Sequence, residues 1–524
     1  IEQNGDVYQP VYTVQGLPGA VYDVIASKNI VTGDGTVRAQ KGDVVDTITT
    51  SKTGTGSSDL LYLGQYEIVE RIVPENMTLN PNPKKVVLSY AGQTIDVTEA
   101  STEVYNERQR VAVSLTKYME QDEQFHIGMN EEILSVRFGL FAAEPIQAAD
   151  GSFVPVDGLL EMVSLNKNGE ALLTTDLPVG AHCYVKELAT DEHYQISDTK
   201  YPVKFEYAGQ EIALVKIAVN DGQPIENRLI RGSIQGIKQD ENSHGLSGAV
   251  IGLFRPTEKE YTKQTALMTS VSAENGSFSF HNVPYGHWVV REIATPDETY
   301  ILSDELHHVY VTGQDAVVEL SITNAFVRGS VQVKKVDAEY PNTLLSGAVF
   351  EVYEDSNHDK VFDTNDLLIG ELSETDPGIY ERHDLRYNGY FIKEKTAPAH
   401  FILDENAYYF AITENNATVL VETHMGQGFV NRAQKGALKI VKRSADDVLE
   451  GFAFEIQGVM ATGQDYAETF VTDYNGEIHV TLRPGKYTVS EVANQASNRY
   501  VLPEDQTVVI KADETSLLEF MNEI

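Results

Sequence analysis

One short pattern recurs five times along this chain: a glycine, then, at alternating positions, an aromatic, an apolar residue and a glutamate. The copies read Gly64-Gln-Tyr66-Glu-Ile68-Val-Glu70, Gly286-His-Trp288-Val-Val290-Arg-Glu292 and Gly485-Lys-Tyr487-Thr-Val489-Ser-Glu491. In Gly389-Tyr390-Phe-Ile392-Lys-Glu394 the glycine is one residue closer, and in Gly180-Ala-His-Cys183-Tyr-Val185-Lys-Glu187 a cysteine takes the aromatic's place. Residues i, i+2 and i+4 of a β-strand share one face. Each copy therefore directs an acid into the same interior as an aromatic and an aliphatic side chain. A carboxylate in a core is costly unless it is protonated or paired. Five of them at one register demand partners.

A second element lies upstream in four copies: Leu17-Pro-Gly19-Ala-Val-Tyr22, Leu246-Ser-Gly248-Ala-Val-Ile251, Leu345-Ser-Gly347-Ala-Val-Phe350 and Leu449-Glu-Gly451-Phe-Ala-Phe454. Each predicts a turn glycine entering a buried strand. Between the two elements stand hairpin signals at Asn168-Gly169, Asn275-Gly276, Asp376-Pro-Gly378 and Asn475-Gly476. Helical periodicity is scarce. The fold class expected is all-β, tandem immunoglobulin-like sandwiches. A chain of 524 residues is too long for one core, and the repeat predicts five units at residues 1–109, 110–229, 230–326, 327–433 and 434–524. The second carries a longer insertion between Tyr118 and Leu160, with its glycine-led strand near Val136-Arg-Phe-Gly-Leu-Phe. Linkers such as Asn324-Ala-Phe-Val-Arg-Gly-Ser are short, which predicts a stiff rod.

Four units open on an alternating strand that carries a lysine: Val113-Ser-Leu-Thr-Lys117, Ile234-Gln-Gly-Ile-Lys238, Val331-Gln-Val-Lys-Lys335 and Leu438-Lys-Ile-Val-Lys442. All five close on an asparagine: Asn106, Asn227, Asn324, Asn431 and Asn522. The order lysine, glutamate, asparagine resembles the Cna B-type, SpaA-like domains of Gram-positive pilins and adhesins, over nearly the whole chain. The resemblance implies prealbumin-like sandwiches in which the lysine amine attacks the asparagine amide, expels ammonia and leaves an isopeptide bond, with the glutamate as catalyst. Carried over, the triads are Lys117/Glu187/Asn227, Lys238/Glu292/Asn324, Lys335/Glu394/Asn431 and Lys442/Glu491/Asn522. Glu70 and Asn106 form an incomplete triad. No lysine precedes Leu17, the earliest being Lys28 and Lys41, so either the partner lies upstream of Ile1 or this unit has no bond.

These residue types suit the chemistry. Burial lowers a lysine pKa and frees its lone pair, and it raises a glutamate pKa so that the acid can hydrogen-bond the asparagine carbonyl and then shuttle a proton to the leaving ammonia. Folding supplies the proximity. Such a reaction runs once per unit, so the chain is not expected to be a turnover enzyme, and it requires no cofactor.

The only cysteine, Cys183, rules out an intramolecular disulfide. In an extracellular repeat protein the isopeptide bonds would take the disulfide's role. Cys183 itself reads as a core residue rather than a thiol nucleophile or thioester. A net charge of −38 argues against nucleic acid and anionic membrane as partners. No apolar run is long enough to span a membrane, and neither a signal peptide nor an LPxTG-type sorting motif is visible, so the 524 residues read as a middle piece or a processed one. The resemblance implies attachment to cell-wall peptidoglycan through an anchor outside this sequence, at the bacterial cell surface. A pilin-type Tyr-Pro-Lys segment is missing, which argues against a sortase-polymerised shaft.

The stretch Asp355-Ser-Asn357-His-Asp359-Lys-Val361-Phe-Asp363-Thr-Asn-Asp366 places oxygen ligands as in an EF-hand-type loop, the Val361 carbonyl included, and predicts a Ca2+ site. Two departures weaken the match: Lys360 stands where the turn wants glycine, and the last ligand is Asp rather than Glu. His307-His308 lacks a third ligand at metal spacing. Two functions fit: a stalk of self-locked units, or an adhesin whose first two units bind a host or extracellular-matrix component.

Overall fold

The computed structural model describes all residues 1–524, and it contains strands and two short 3₁₀ turns but no α-helix. The third and fifth units show the repeat most fully. In the third, the first strand Arg231–Asp240 lies at the centre of a three-stranded sheet. It is antiparallel to Ser277–Pro284 and parallel to the last strand Val317–Asn324. Opposite stands a four-stranded sheet in the order Met268–Val271, Val250–Phe254, Gly286–Ala294, His307–Val311. Ile234, Phe280 and Ile322 from one sheet meet Ile251, Val290 and Val309 from the other in one core. The fifth unit repeats this with Gly436–Ser444 central and Thr515–Asn522 parallel to it. In the fourth, the parallel partner of Arg328–Asp337 is split into Thr418–Leu420 and Phe429–Asn431. In the second, Leu214–Ala218 and Ile225–Asn227 pair the same way with Arg110–Met119.

The glutamate strands obey the period of two. Tyr66 and Glu70, Cys183, Val185 and Glu187, Trp288, Val290 and Glu292, Tyr390, Ile392 and Glu394, and Tyr487, Val489 and Glu491 are all buried.

Parallel pairing sets one register in all four lysine-bearing units. Lys117 pairs with Ile225, Lys238 with Ile322, Lys335 with Phe429 and Lys442 with Phe520. The partner always lies two residues before the asparagine, and two residues along a strand keeps the same face. Lysine and asparagine therefore enter the core side by side.

The first unit differs. It has the four-stranded sheet of Val44–Thr49, Val21–Ala26, Gly64–Ile72 and Lys84–Leu88, but no three-stranded sheet opposite. Its apolar cluster holds four buried residues, Val24, Ala26, Ile30 and Tyr66. The expected start of this unit at residue 1 also needs correction. The hairpin Glu2–Asn4/Val7–Gln9 joins the second unit's sheet, with Val7 beside Leu159, and the Ile1 amine donates to Ser152 Oγ at 2.8 Å. Strand Leu159–Ser164, in the region of the second unit's insertion, would otherwise present an open edge, and the hairpin covers it.

Arginines tie successive units together. Arg231 of the third unit holds Glu120 and Asp122 of the second at 3.0 and 2.9 Å. Arg328 of the fourth bonds Glu241 of the third. Arg483 of the fifth, itself buried, binds Asp337 and Glu339 of the fourth at 2.8 and 2.7 Å. Phe125 and Trp288 meet edge-to-face at 4.9 Å across the second junction, where one apolar cluster spans both units.

Candidate functional site

A hairpin glycine anchors each of the four buried lysines. Gly169, Gly276, Gly378 and Gly476 all have φ between 76° and 82°, and their carbonyls accept the amide N–H of Lys117, Lys238, Lys335 and Lys442 at 2.7, 2.7, 2.9 and 2.7 Å. A side chain at Gly169 or Gly276 would strike the lysine carbonyl, with a Cβ at 2.3 or 2.2 Å. Only glycine combines that conformation with that approach.

Inside, the four triads form closely similar clusters. In the third unit Lys238 Nζ lies 3.4 Å from Glu292 Oε1, and Asn324 Nδ2 donates to Glu292 Oε2 at 2.6 Å. In the fourth, Lys335 Nζ is 3.6 Å from Glu394 Oε1 and bonds Asn431 Oδ1, while Asn431 Nδ2 donates to Glu394 Oε2 at 2.9 Å. In the fifth, Lys442 Nζ is 3.5 Å from Glu491 Oε2 and Asn522 Nδ2 donates to Oε1 at 2.7 Å. In the second, Lys117 Nζ donates to Asn227 Oδ1 at 2.5 Å and stands 3.3 Å from Glu187 Oε1, which also accepts Asn227 Nδ2 at 2.8 Å. The lysine side chains have no exposed surface.

Burial is the dominant influence on these amines. It lowers the pKa of Lys117, Lys238 and Lys442 against the opposing pull of the paired glutamate. For Lys335 the fall is largest, to about 8. A larger share of each amine therefore holds a free lone pair near neutral pH. A second fixed contact comes from the backbone: the N–H groups of Ser197, Ser303 and Asp404 donate to Glu187, Glu292 and Glu394 at 3.0, 2.9 and 2.9 Å.

One expected detail is reversed. The glutamate carboxyl meets the asparagine nitrogen, not its carbonyl oxygen, because Nδ2 is the donor that a carboxylate can accept. The carboxyl thus touches the asparagine nitrogen and faces the lysine nitrogen. One carboxyl is therefore close to both nitrogens of its cluster.

In the first unit, Asn106 Nδ2 donates to Glu70 Oε2 at 2.7 Å and the Asn80 N–H donates at 2.8 Å, while Glu70 Oε1 is buried without a partner. No lysine completes the group. The burial of Tyr22, with Glu70 beside it, pushes the tyrosine pKa up.

The anticipated metal loop is less gathered than its spacing suggests. No three acidic, histidine or cysteine side chains stand together as a metal cluster. Asp359 accepts from the Val361 N–H and the Asn357 side chain, and Asp363 accepts from the Asn365 N–H. Asn357, Asp359, Val361 and Asp363 are exposed. Asp355 is buried, with the Lys360 N–H on Oδ2, and Oδ1 of both Asp355 and Asp366 is buried without a partner. These two unpartnered carboxylate oxygens belong to the first and last residues of the loop.

Cys183 is buried, and its thiol pKa is pushed up to about 12 by desolvation, far from a reactive thiolate. His308 pairs with His287 at 2.9 Å on the surface. The junction acids and arginines were missed in the sequence. Their signal was an acid two to five residues beyond each lysine, as at Glu120, Glu241 and Glu339.

Four tandem β-sandwiches, each holding a buried amine, acid and amide between its sheets, define a class of repeat module. The model of the SpaA prealbumin-like fold domain matches residues 11–102, 232–325, 329–426 and 436–524, most of the chain. The chain belongs to that family. Similar solved structures include the Bacillus anthracis TIE protein (22% identity, 75% of this chain and 69% of that one, TM-score 0.45). BcpA, the major pilin subunit of Bacillus cereus, is 13% identical over 56% of this chain and 99% of its own (TM-score 0.27). A streptococcal ancillary pilin is 17% identical over 62% and 99% (TM-score 0.23). Comparison with curated proteins yields no match.

Proposed function

We propose that the chain is the stalk of a bacterial surface adhesin or pilus-like protein, four of whose units lock themselves with Lys–Asn isopeptide bonds. The observation that carries this reading is the repetition of one buried Lys/Glu/Asn cluster at one register in four units. The neutral amine attacks the asparagine Cγ, the glutamate takes the amine's proton, and the same carboxyl returns it to Nδ2 as ammonia leaves. Two of the similar structures are pilin subunits, which agrees with a role in an extended surface structure.

Intact mass tests the reading. Each bond removes ammonia, about 17 Da, so four give a deficit of about 68 Da, and Glu292→Ala restores one increment. A full-length mass with no deficit would end the proposal. Under tension the bond would carry load from first strand to last. Single-molecule pulling should then show units that do not extend to their full contour length.

A second reading, a ligand-binding adhesin, draws support from the first unit. There an open groove of about 460 Å³ is lined by Ile30, Val45, Leu61, Tyr62 and Tyr66.

A further inference from the structure

We propose that the backbone N–H reaching each glutamate from the loop behind its strand is a positioning group for bond formation, and that Pro503, which lacks one, makes the fifth unit the slowest of the four to close. This rests on the isopeptide reading and adds an order to it.

The loops after the five glutamate strands share one register. The N–H groups of Thr78, Gln195, Ile301, Ile402 and Val501 each donate to the carbonyl of the residue directly after their unit's asparagine, at 2.8 to 2.9 Å. Two residues further on stand Asn80, Ser197, Ser303, Asp404 and Pro503. The first four donate their N–H to Glu70, Glu187, Glu292 and Glu394 at 2.8, 3.0, 2.9 and 2.9 Å. Proline has no N–H to give. Glu491 accordingly accepts one hydrogen bond, from Asn522 Nδ2 at 2.7 Å. The difference lies in the proline ring itself, so it does not depend on what adjoins the unit.

The chemistry makes this contact matter. Nζ forms a bond to the asparagine Cγ and the Cγ–Nδ2 bond breaks. The carboxyl carries one proton from Nζ to Nδ2, which departs as ammonia, and no electrons change hands. The contact between carboxyl and Nδ2 is lost in that step. In the third and fourth units Oε2 accepts both the asparagine nitrogen and the backbone N–H, and Oε1 is the oxygen that faces the lysine. The backbone bond outlasts the leaving group and keeps the carboxyl aimed. In the fifth unit the carboxyl is held only by the group that departs.

The asparagine amide shows the same contrast. Asn324 and Asn431 Nδ2 have second acceptors in the Ile301 and Ile402 carbonyls at 2.7 Å, and Asn227 Nδ2 has one in Thr190 Oγ1 at 3.0 Å. Asn522 Nδ2 donates to Glu491 alone. Displacing a reacting group by about 1 Å can cost about a hundredfold in rate, and the loss of these holding contacts is expected to slow the fifth bond about tenfold.

The test makes the full 524-residue chain by cell-free synthesis, halts translation, and stops samples at intervals in acid and denaturant. After digestion the four linked peptide pairs are followed by mass, each lighter than its two parts by about 17 Da. The Lys442–Asn522 pair should have the smallest rate constant. The fifth unit is also synthesised last, so the deciding comparison is of its rate with and without the proline. Pro503→Ala, which restores the N–H, should speed that pair about tenfold, a gain that misfolding cannot imitate. Ser303→Pro should slow the Lys238–Asn324 pair by a similar factor, whereas Ser303→Ala, which keeps the N–H, should not. A fifth pair that forms as fast as the third, or that Pro503→Ala leaves unmoved, overturns the inference, while the linked pairs themselves uphold the isopeptide reading. If no linked pair forms in any unit, both fall.

Discussion

Replacing Asn324 by alanine should destabilise the third unit in a way that a single fluorophore can read. The bond expected between Lys238 and Asn324 closes a loop of about 86 residues, and chain entropy values such a cross-link at about 4.6 kcal/mol. Trp288 is the chain's only tryptophan; it is buried in that unit, its Nε1 donating to the Pro284 carbonyl at 2.8 Å. With a guanidinium slope of about 3 kcal/mol/M for a unit of this size, the midpoint should fall by about 1.5 M. The variant should also acquire a pH dependence. Without the bond, Lys238 remains a buried amine whose pKa burial has lowered. Between that value and the ordinary lysine value the unfolded chain binds the extra proton, so the variant's stability is lowest below the folded pKa and rises with pH through the interval. A wild-type unit whose lysine has been converted to an amide should lack this rise. An unchanged midpoint in Asn324→Ala, with masses showing the bond present in wild type and absent in the variant, would refute the reasoning.

The fourth unit gives that pH effect a size. With Lys335 at about 8, Asn431→Ala should gain about 2.5 kcal/mol between pH 7 and 10 relative to Lys335→Met/Asn431→Ala; equal slopes in denaturant titrations across that range would contradict it. Arg483→Met should leave Asp337 buried and unpaired, weakening the fourth–fifth junction by about 3–5 kcal/mol, and proteolysis near residues 433–436 should speed up accordingly. Calcium should bind the loop from Asp355 to Asp366 with one ion per chain, and Asp355→Ala should abolish the heat in titration calorimetry. No heat in the wild-type chain would dismiss the site.

The glutamate face was legible because a period of two needs only five residues to show, and each of the five copies holds its acid four residues after its aromatic or, in the second unit, after Cys183. The lysines and asparagines followed from strand alternation plus their places at the ends of each unit. What sequence could not show was decided by long-range pairing. Residues 2–9 have no apolar alternation, and their place on the second unit depends on an edge that lies about 150 residues away in the chain. The absence of a second sheet in the first unit was visible only as a lysine not found. The orientation of the asparagine amides is a matter of which group can donate to a carboxylate, so spacing carried no trace of it.

The junction contacts add a step that neither the triads nor the repeat supply alone. In each lysine-bearing first strand but the last, the residues just beyond the lysine carry the acid that receives the next unit's arginine: Glu120 and Asp122 after Lys117, Glu241 after Lys238, Asp337 and Glu339 after Lys335. The asparagine sits equally near the end of its own strand, a few residues before the next unit begins. Cross-link and junction are therefore held by adjoining turns of chain at the same end of the sandwich. A unit that failed to close its bond would leave not only its own first strand loosely held but also the acid that orients its successor. If the proposed bonds form, stiffness between units should then depend on their completion. The fourth–fifth junction, where Arg483 and Asp337 are both removed from water, is where that dependence should be strongest.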